Sequence, residues 1–277
     1  MKKNLLVALT SIALILPSGS GLAGEQSAAA ADLEALVTRI QAKLDQGKKT
    51  KADLAEELGG FDTLLAKYQG NGADDAADIL WTSARLYLQV LDDSEKSRQL
   101  AQQLKRDFPQ TTPGRRADEL LASIAAHEQA DKIQAGLKPG VKFPGFEEKD
   151  VDRKPLALAA FQGRVVLIHF WATWSRPCVA ELDNLLQLYR GYHTQGFEII
   201  GISLDRDEMR LTGLRTRKQI PWPQFFDGDV WKSKLVVGYG ITRIPANYLL
   251  SREGRIIGKD LHGSVLEGEL ARALTAK

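Results

Sequence analysis

Ser175 and Cys178, separated by Arg176 and Pro177, place a hydroxyl and a thiol at the predicted start of a helix. A pair of thiols at that spacing carries out disulfide exchange, which begins when a thiolate attacks a sulfur. Here only one thiol exists: Cys178 is the single cysteine among 277 residues, so no internal disulfide forms and no dithiol of this chain cycles. A serine hydroxyl, scarcely ionised at neutral pH, does not replace the missing thiolate. Ser175 reads instead as an N-cap whose oxygen accepts the Cys178 N–H, with Pro177 in the first turn where it has no donor to leave unpaired. Two readings of Cys178 stand side by side. The helix dipole of a first turn favours the thiolate, whereas burial among apolar neighbours raises a thiol's pKa and makes it inert. Glu181, one turn further on, is either an acid at the site or a solvated helix residue. His169 falls in a buried strand, where the common role is a hydrogen-bonded core residue rather than a catalyst.

These residues need a frame, and the pattern around them supplies one. Residues 165–170 form a continuous apolar run with β-branched members, as in a strand covered on both faces, and 199–204 reads the same way. Between them, 179–192 carries Leu182, Leu185, Leu186 and Leu188 at helix spacing, which gives a strand-helix-strand unit with parallel pairing. Residues 248–250 and 255–257 read as an antiparallel hairpin, and Ser264 with Glu267 as the capping box of a last helix. The expected domain covers residues 141–277 and starts after Lys138-Pro139-Gly140.

The preceding stretch, 31–137, is all helical in pattern. Leu33, Leu36, Val37, Ile40 and Leu44 recur at the three-and-four spacing of one helix face. Further helices are predicted over 52–68, 74–91, 95–108 and 115–128, broken by Gly-, Asp- and Pro-rich turns. Antiparallel helical hairpins follow; tetratricopeptide-like pairs and a plain helical bundle both fit, since no clean repeat period is visible.

From residue 141 onward the chain resembles the TlpA-like thioredoxin family of exported thiol-disulfide oxidoreductases. The resemblance rests on Gln162-Gly163-Arg164 leading into 165–174, on Pro177, Cys178 and Glu181, on Tyr239-Gly240-Ile241 before Ile244-Pro245, and on Arg252-Glu253-Gly254. It implies an α/β thioredoxin-like fold, a central mixed sheet flanked by helices. It also implies a cis-proline loop at Pro245 beside which an extended peptide adds as a strand, with Trp174, Pro177, Ile244 and Pro245 lining the groove. In the family the acid at the Glu181 position helps proton transfer near the thiols, and His169 stands where thioredoxins proper carry a buried acid. Two departures matter: Ser175 replaces the attacking cysteine, and Asp183 replaces a helix-kinking proline. The expectation is a protein that binds a protein or peptide without dithiol exchange.

The alternative keeps chemistry at Cys178 alone. Ser175-Arg176-Pro177-Cys178 also resembles the threonine-x-x-cysteine of peroxiredoxins. However, Trp171 stands where those enzymes place a loop proline and Pro245 where their arginine is expected, and neither Arg243 nor Arg176 occupies a matching position.

Composition narrows the classes further. A formal charge of +2 with interspersed signs argues against a nucleic-acid surface, and the densest basic cluster, Arg210, Arg215, Arg217 and Lys218, reads as a solvated helix face. Four scattered histidines and one cysteine offer no metal-ligand spacing, and no Gly-x-Ser-x-Gly elbow supports serine hydrolysis, so neither a metal nor a cofactor is expected. Met1-Lys2-Lys3, the apolar run 5–16 and small residues up to Ala23 have the layout of a signal peptide over 1–23. That run is shorter than the roughly 20 residues a membrane span needs, so a soluble protein in the periplasm or cell envelope is expected.

Overall fold

The computed structural model describes residues 27–68, 70 and 72–275; the predicted signal peptide lies outside them. The chain divides into two compact units between Glu128 and Gln129.

The first unit is helical. It contains α1 (Ala28–Asp45), α2 (Ala55–Tyr68), α3 (Ala73–Gln89), α4 (Ser94–Asp107), the single turn α5 (Thr112–Arg115) and the start of α6 (Ala117–Gly136). Local chemistry fixes the starts. Ser27 accepts the Ala30 N–H, Asp93 that of Lys96 and Thr111 that of Gly114. The predicted stripe on α1 is buried in full, with Leu33, Leu36, Val37, Ile40 and Leu44 packed against Leu54, Phe61 and Ile79. Burial of each such side chain contributes about 2 kcal/mol. A second cluster joins Leu80, Ala84 and Leu88 of α3 to Ala101 and Leu104 of α4 and to Leu120 and Ile124 of α6. Helix α6 runs two turns past the predicted end at 128, because Ile133 and, just beyond it, Leu137 have an apolar cluster of the second unit to pack against.

The second unit is built on a sheet. A short hairpin, β1 (Glu147–Lys149) with β2 (Pro155–Ala157), precedes β3 (Val165–Trp171). Then follow α7 (Arg176–Tyr192), β4 (Phe197–Ser203), α8 (Glu208–Lys218), β5 (Gln224–Phe225), α9 (Lys234–Gly238), β6 (Ala246–Leu250), β7 (Ile256–Lys259) and α10 (Gly263–Thr275). The five-stranded sheet has the order β5-β4-β3-β6-β7. Strand β3 pairs parallel with β4 and antiparallel with β6, and β6 pairs antiparallel with β7, so the sheet is mixed as expected.

All seven residues of β3 and all seven of β4 are buried, the signature of strands covered on both faces. The period of two sorts β3 between layers. Val166, Ile168 and Phe170 pack with Phe143, Val236, Tyr239 and Tyr248, while Val165, Leu167 and Trp171 pack with Cys178, Leu182 and Leu185 of α7 and Leu266 and Leu270 of α10. Gly201 on β4 is required by close approach: a Cβ there would lie 2.0 Å from Gln224 Oε1, the atom that accepts the Trp171 indole N–H at 2.9 Å.

The predicted capping box at Ser264 does not form. Helix α10 starts one residue earlier, at Gly263 (φ 53°), which puts Ser264 inside the first turn. His262 therefore sits at the helix entrance, with its carbonyl accepting the Val265 N–H.

Candidate functional site

The loop between β3 and α7 is held from below by a carboxylate that the sequence reading missed. Asp205, 1% exposed just past β4, accepts the Thr173 N–H on both oxygens at 3.1 Å and the Thr173 hydroxyl at 2.6 Å, and Ser203 Oγ donates to it at 2.9 Å. Trp174 Nε1 donates to the Leu204 carbonyl at 3.2 Å, so the indole lies over the loop with 48% of its surface exposed. A polar residue ending a predicted strand was the available signal for Asp205; its partner lies 32 residues earlier.

Ser175 occupies the N-cap position of α7 with extended backbone (φ −92°, ψ 106°), and Arg176 and Pro177 follow as the first helical residues. Its side chain makes no capping hydrogen bond, which corrects the expected bond to the Cys178 N–H. The hydroxyl instead interacts with the Cys178 sulfur.

Cys178 is fully buried beside Trp171, Leu182 and Leu185. Burial pushes its thiol up from the ordinary 9.0 to about 11; hydrogen bonding by Ser175 and the backbone opposes the rise, and the nearby Glu181 charge adds to it. The dipole of a first turn is thus outweighed by desolvation. A thiol in this state is almost wholly protonated at neutral pH.

Glu181 behaves in the opposite way. Burial alone would raise its carboxyl, but the hydrogen bond with His262 and the nearby His169 imidazole more than offset that and bring it down to about 2. His262 Nδ1 lies 2.7 Å from Glu181 Oε1, and His169 Nε2 lies 3.6 Å from Oε2. Glu181 is therefore no solvated helix residue: its side chain is 10% exposed. The hydrogen bond to Glu181 raises the pKa of His262. His169 is buried on the β3 face toward α7, and neither ring nitrogen has a hydrogen-bond partner, so the expected hydrogen-bonded core role is not filled.

The Ile244–Pro245 peptide is cis, in the loop leading into β6. Ile244 is half-buried and touches both core layers. No backbone hydrogen bond among the described residues engages Arg243 or Ile244. The loop is tied back through Arg243, whose guanidinium lies 3.1 Å from Asp260, and through Asn247, which exchanges two hydrogen bonds with the Leu261 backbone. His262 follows directly, so the cis-proline loop and α7 meet through the His262–Glu181 contact. Asp183, at the position of the family's kink, accepts from Lys218 of α8 at 2.7 Å. Among the described residues no helix is long and apolar enough to cross a membrane.

Comparison with known proteins places this geometry. A family model described as AhpC/TSA family matches residues 139–259. The thiol-disulfide oxidoreductase ResA of Bacillus thuringiensis subsp. konkukian is 27% identical over 140 residues, covering 50% of this chain and 78% of that protein. ResA of Oceanobacillus iheyensis is 31% identical over 121 residues, 42% of this chain and 62% of that protein. Among solved structures, a thiol-disulfide oxidoreductase from Bacteroides fragilis is 30% identical, with 48% of this chain and 98% of that chain covered and a TM-score of 0.45. The sheet order, the cis-Pro245 loop, the family-model match and the ResA relatives agree, and the C-terminal half of this chain belongs to the TlpA-like thioredoxin family.

Proposed function

We propose that this chain is an exported thioredoxin-like protein that has lost dithiol exchange and acts by binding a protein or peptide at the cis-proline loop. One observation carries the reading. The only cysteine lies fully buried with its thiol pushed to about 11, and a serine stands at the position of the attacking thiol. Disulfide exchange runs through a thiolate, so both the nucleophile and its ionisation are missing. The binding half of the reading is supported by the Arg243 and Ile244 main chain, which has no backbone partner among the described residues and stands beside cis-Pro245. An extended segment adding there forms main-chain hydrogen bonds and needs no cysteine. Trp174, Pro177 and Ile244 supply apolar contact around it. Export is supported by the basic start and apolar run of residues 1–23.

The test is a disulfide-reduction assay run with the wild-type protein and with Ser175→Cys. Wild type shows no turnover, and Ser175→Cys forms an internal disulfide with Cys178 and gains activity. Turnover by wild type at the rate of a two-cysteine relative overturns the reading. Alkylation across pH decides the single-cysteine alternative: protection of Cys178 until unfolding supports the binding protein, and fast labelling with a midpoint below a free thiol supports redox chemistry at Cys178.

A further inference from the structure

The four basic residues clustered on α8 do not form one solvated face. Arg215 makes a two-pronged ion pair with Asp152, at 2.9 and 2.8 Å, and Lys218 pairs with Asp183. These two fasten α8 to the rest of its unit. The other two face an open groove of about 490 Å³ between α8 and the start of α7, lined by Thr173, Val179, Met209, Arg210, Leu214 and Arg217. Arg217 has no ion-pair partner among the described residues, and Arg210 reaches only the capping Asp207, at 3.8 Å. Asp207 also lines the groove, but its other oxygen is occupied by the Met209 N–H.

The lining mixes apolar Val179, Met209 and Leu214 with cationic Arg210 and Arg217. Met209 is 79% exposed, and Arg210 is exposed beside it. Methionine and arginine are both enriched in protein-binding patches, and methionine adapts to varied apolar side chains. A guanidinium prefers a planar carboxylate that it can grip with two parallel hydrogen bonds. None of the lining residues belongs to the Ile244–Pro245 loop.

We propose that this groove docks an extended acidic segment of a partner protein, one that alternates apolar residues with carboxylates, using Arg210 and Arg217 as the charge-reading residues. The carboxylates meet the two guanidiniums and the apolar side chains lie against Val179, Leu214 and Met209. The site goes beyond the cis-proline reading and does not depend on it. Apolar side chains in the same groove as the arginines favour a peptide over a bare phosphate chain, which would gain nothing from Met209 or Leu214.

The experiment uses the full chain and two fluorescent peptides that alternate leucine and phenylalanine with either glutamate or lysine, read by anisotropy. The glutamate peptide binds and the lysine peptide does not. Arg210→Glu with Arg217→Glu weakens binding by at least about ten-fold, and the milder pair Arg210→Gln and Arg217→Gln gives an intermediate loss. Raising salt from about 50 to about 500 mM weakens it several-fold. Ile244→Ala, which shortens the side chain without burying a charge, leaves this binding unchanged, so loss of the cis-proline site and loss of this one are told apart. Equal binding of both peptides, or unchanged affinity in the double glutamate variant, overturns the proposal. So does arginine-dependent capture of an oligonucleotide or anionic vesicles as tight as that of the peptide, or self-association of the chain that the double variant abolishes.

Discussion

Cys178 and Glu181 lie one helical turn apart on α7, both withdrawn from water, and their ionisation moves in opposite directions. The thiol rises to about 11 and the carboxyl falls to about 2. Burial penalises the charged form of each, so burial does not explain the difference. What differs is the surroundings. Cys178 meets Trp171, Leu182 and Leu185, with one hydroxyl to help its anion, whereas Glu181 faces two imidazoles. At Glu181 the two imidazoles outweigh desolvation, whereas around Cys178 the hydroxyl and backbone offset only part of it. The helix N-terminus, close to Cys178, does not decide the state of the thiol.

The largest effect that tests this contrast comes from removing the acid. Glu181→Ala leaves His262 without its acceptor and deletes a charge that raises the Cys178 pKa. Breaking a mostly buried pair costs about 3 kcal/mol, read from urea unfolding at neutral pH. The alkylation midpoint of Cys178, measured in the same variant, moves down; a midpoint that stays in place shows that the two groups are not electrostatically coupled.

Cys178 gives the next effect. Replacing it with serine puts a hydroxyl where the wall is apolar and costs roughly 2 kcal/mol, whereas Cys178→Val, which keeps the site apolar, costs under about 1.5 kcal/mol. Equal losses in the two variants would mean that the pocket reads volume and not polarity.

Smaller again is the pH dependence carried by His262. Its folded pKa is raised by Glu181, so its stabilising contribution is complete below the ordinary 6.5 and is lost as pH rises through the folded value. Glu181 contributes above its ordinary 4.5 and loses that contribution as pH falls through about 2. The pair therefore stabilises most between 4.5 and 6.5. His262→Gln removes the alkaline part of this profile. Because the imidazole is 38% exposed, the difference from wild type is under about 1 kcal/mol and shrinks above neutral pH.

The smallest effect is at Ser175. A working N-cap loses about 1 kcal/mol on change to alanine, but this side chain caps nothing, so Ser175→Ala shifts stability by less than about 0.5 kcal/mol. The same change removes the hydroxyl at the sulfur and drives the Cys178 pKa further up. A loss near the full capping value would restore the simple N-cap role.

Much of the architecture was legible in the order of residues. Local periodicity placed β3, α7 and the β6–β7 hairpin to within a few residues, and the stripe on α1 is buried as its spacing requires. Short elements with little periodicity, such as β1, β2 and the two-residue β5, were not legible, because two or three residues carry no pattern, and β5 is set only by its pairing with β4. Ser264 misled because a capping box is a local motif, and the turn at Gly263 had already opened α10.

The order of residues alone shows one cysteine, a serine three positions before it, and alternating strands and helices that frame them. It did not determine the state of those groups. Whether Cys178 is a thiolate depends on which side chains β3 and α10 lay over α7, and Glu181 owes its charge to a histidine 81 positions away. The fates of Arg215 and Arg217, two residues apart, were settled the same way, one by Asp152 and the other by an open groove. Composition and period act along the chain, whereas desolvation and pairing act through space, and only the folded arrangement sets those distances.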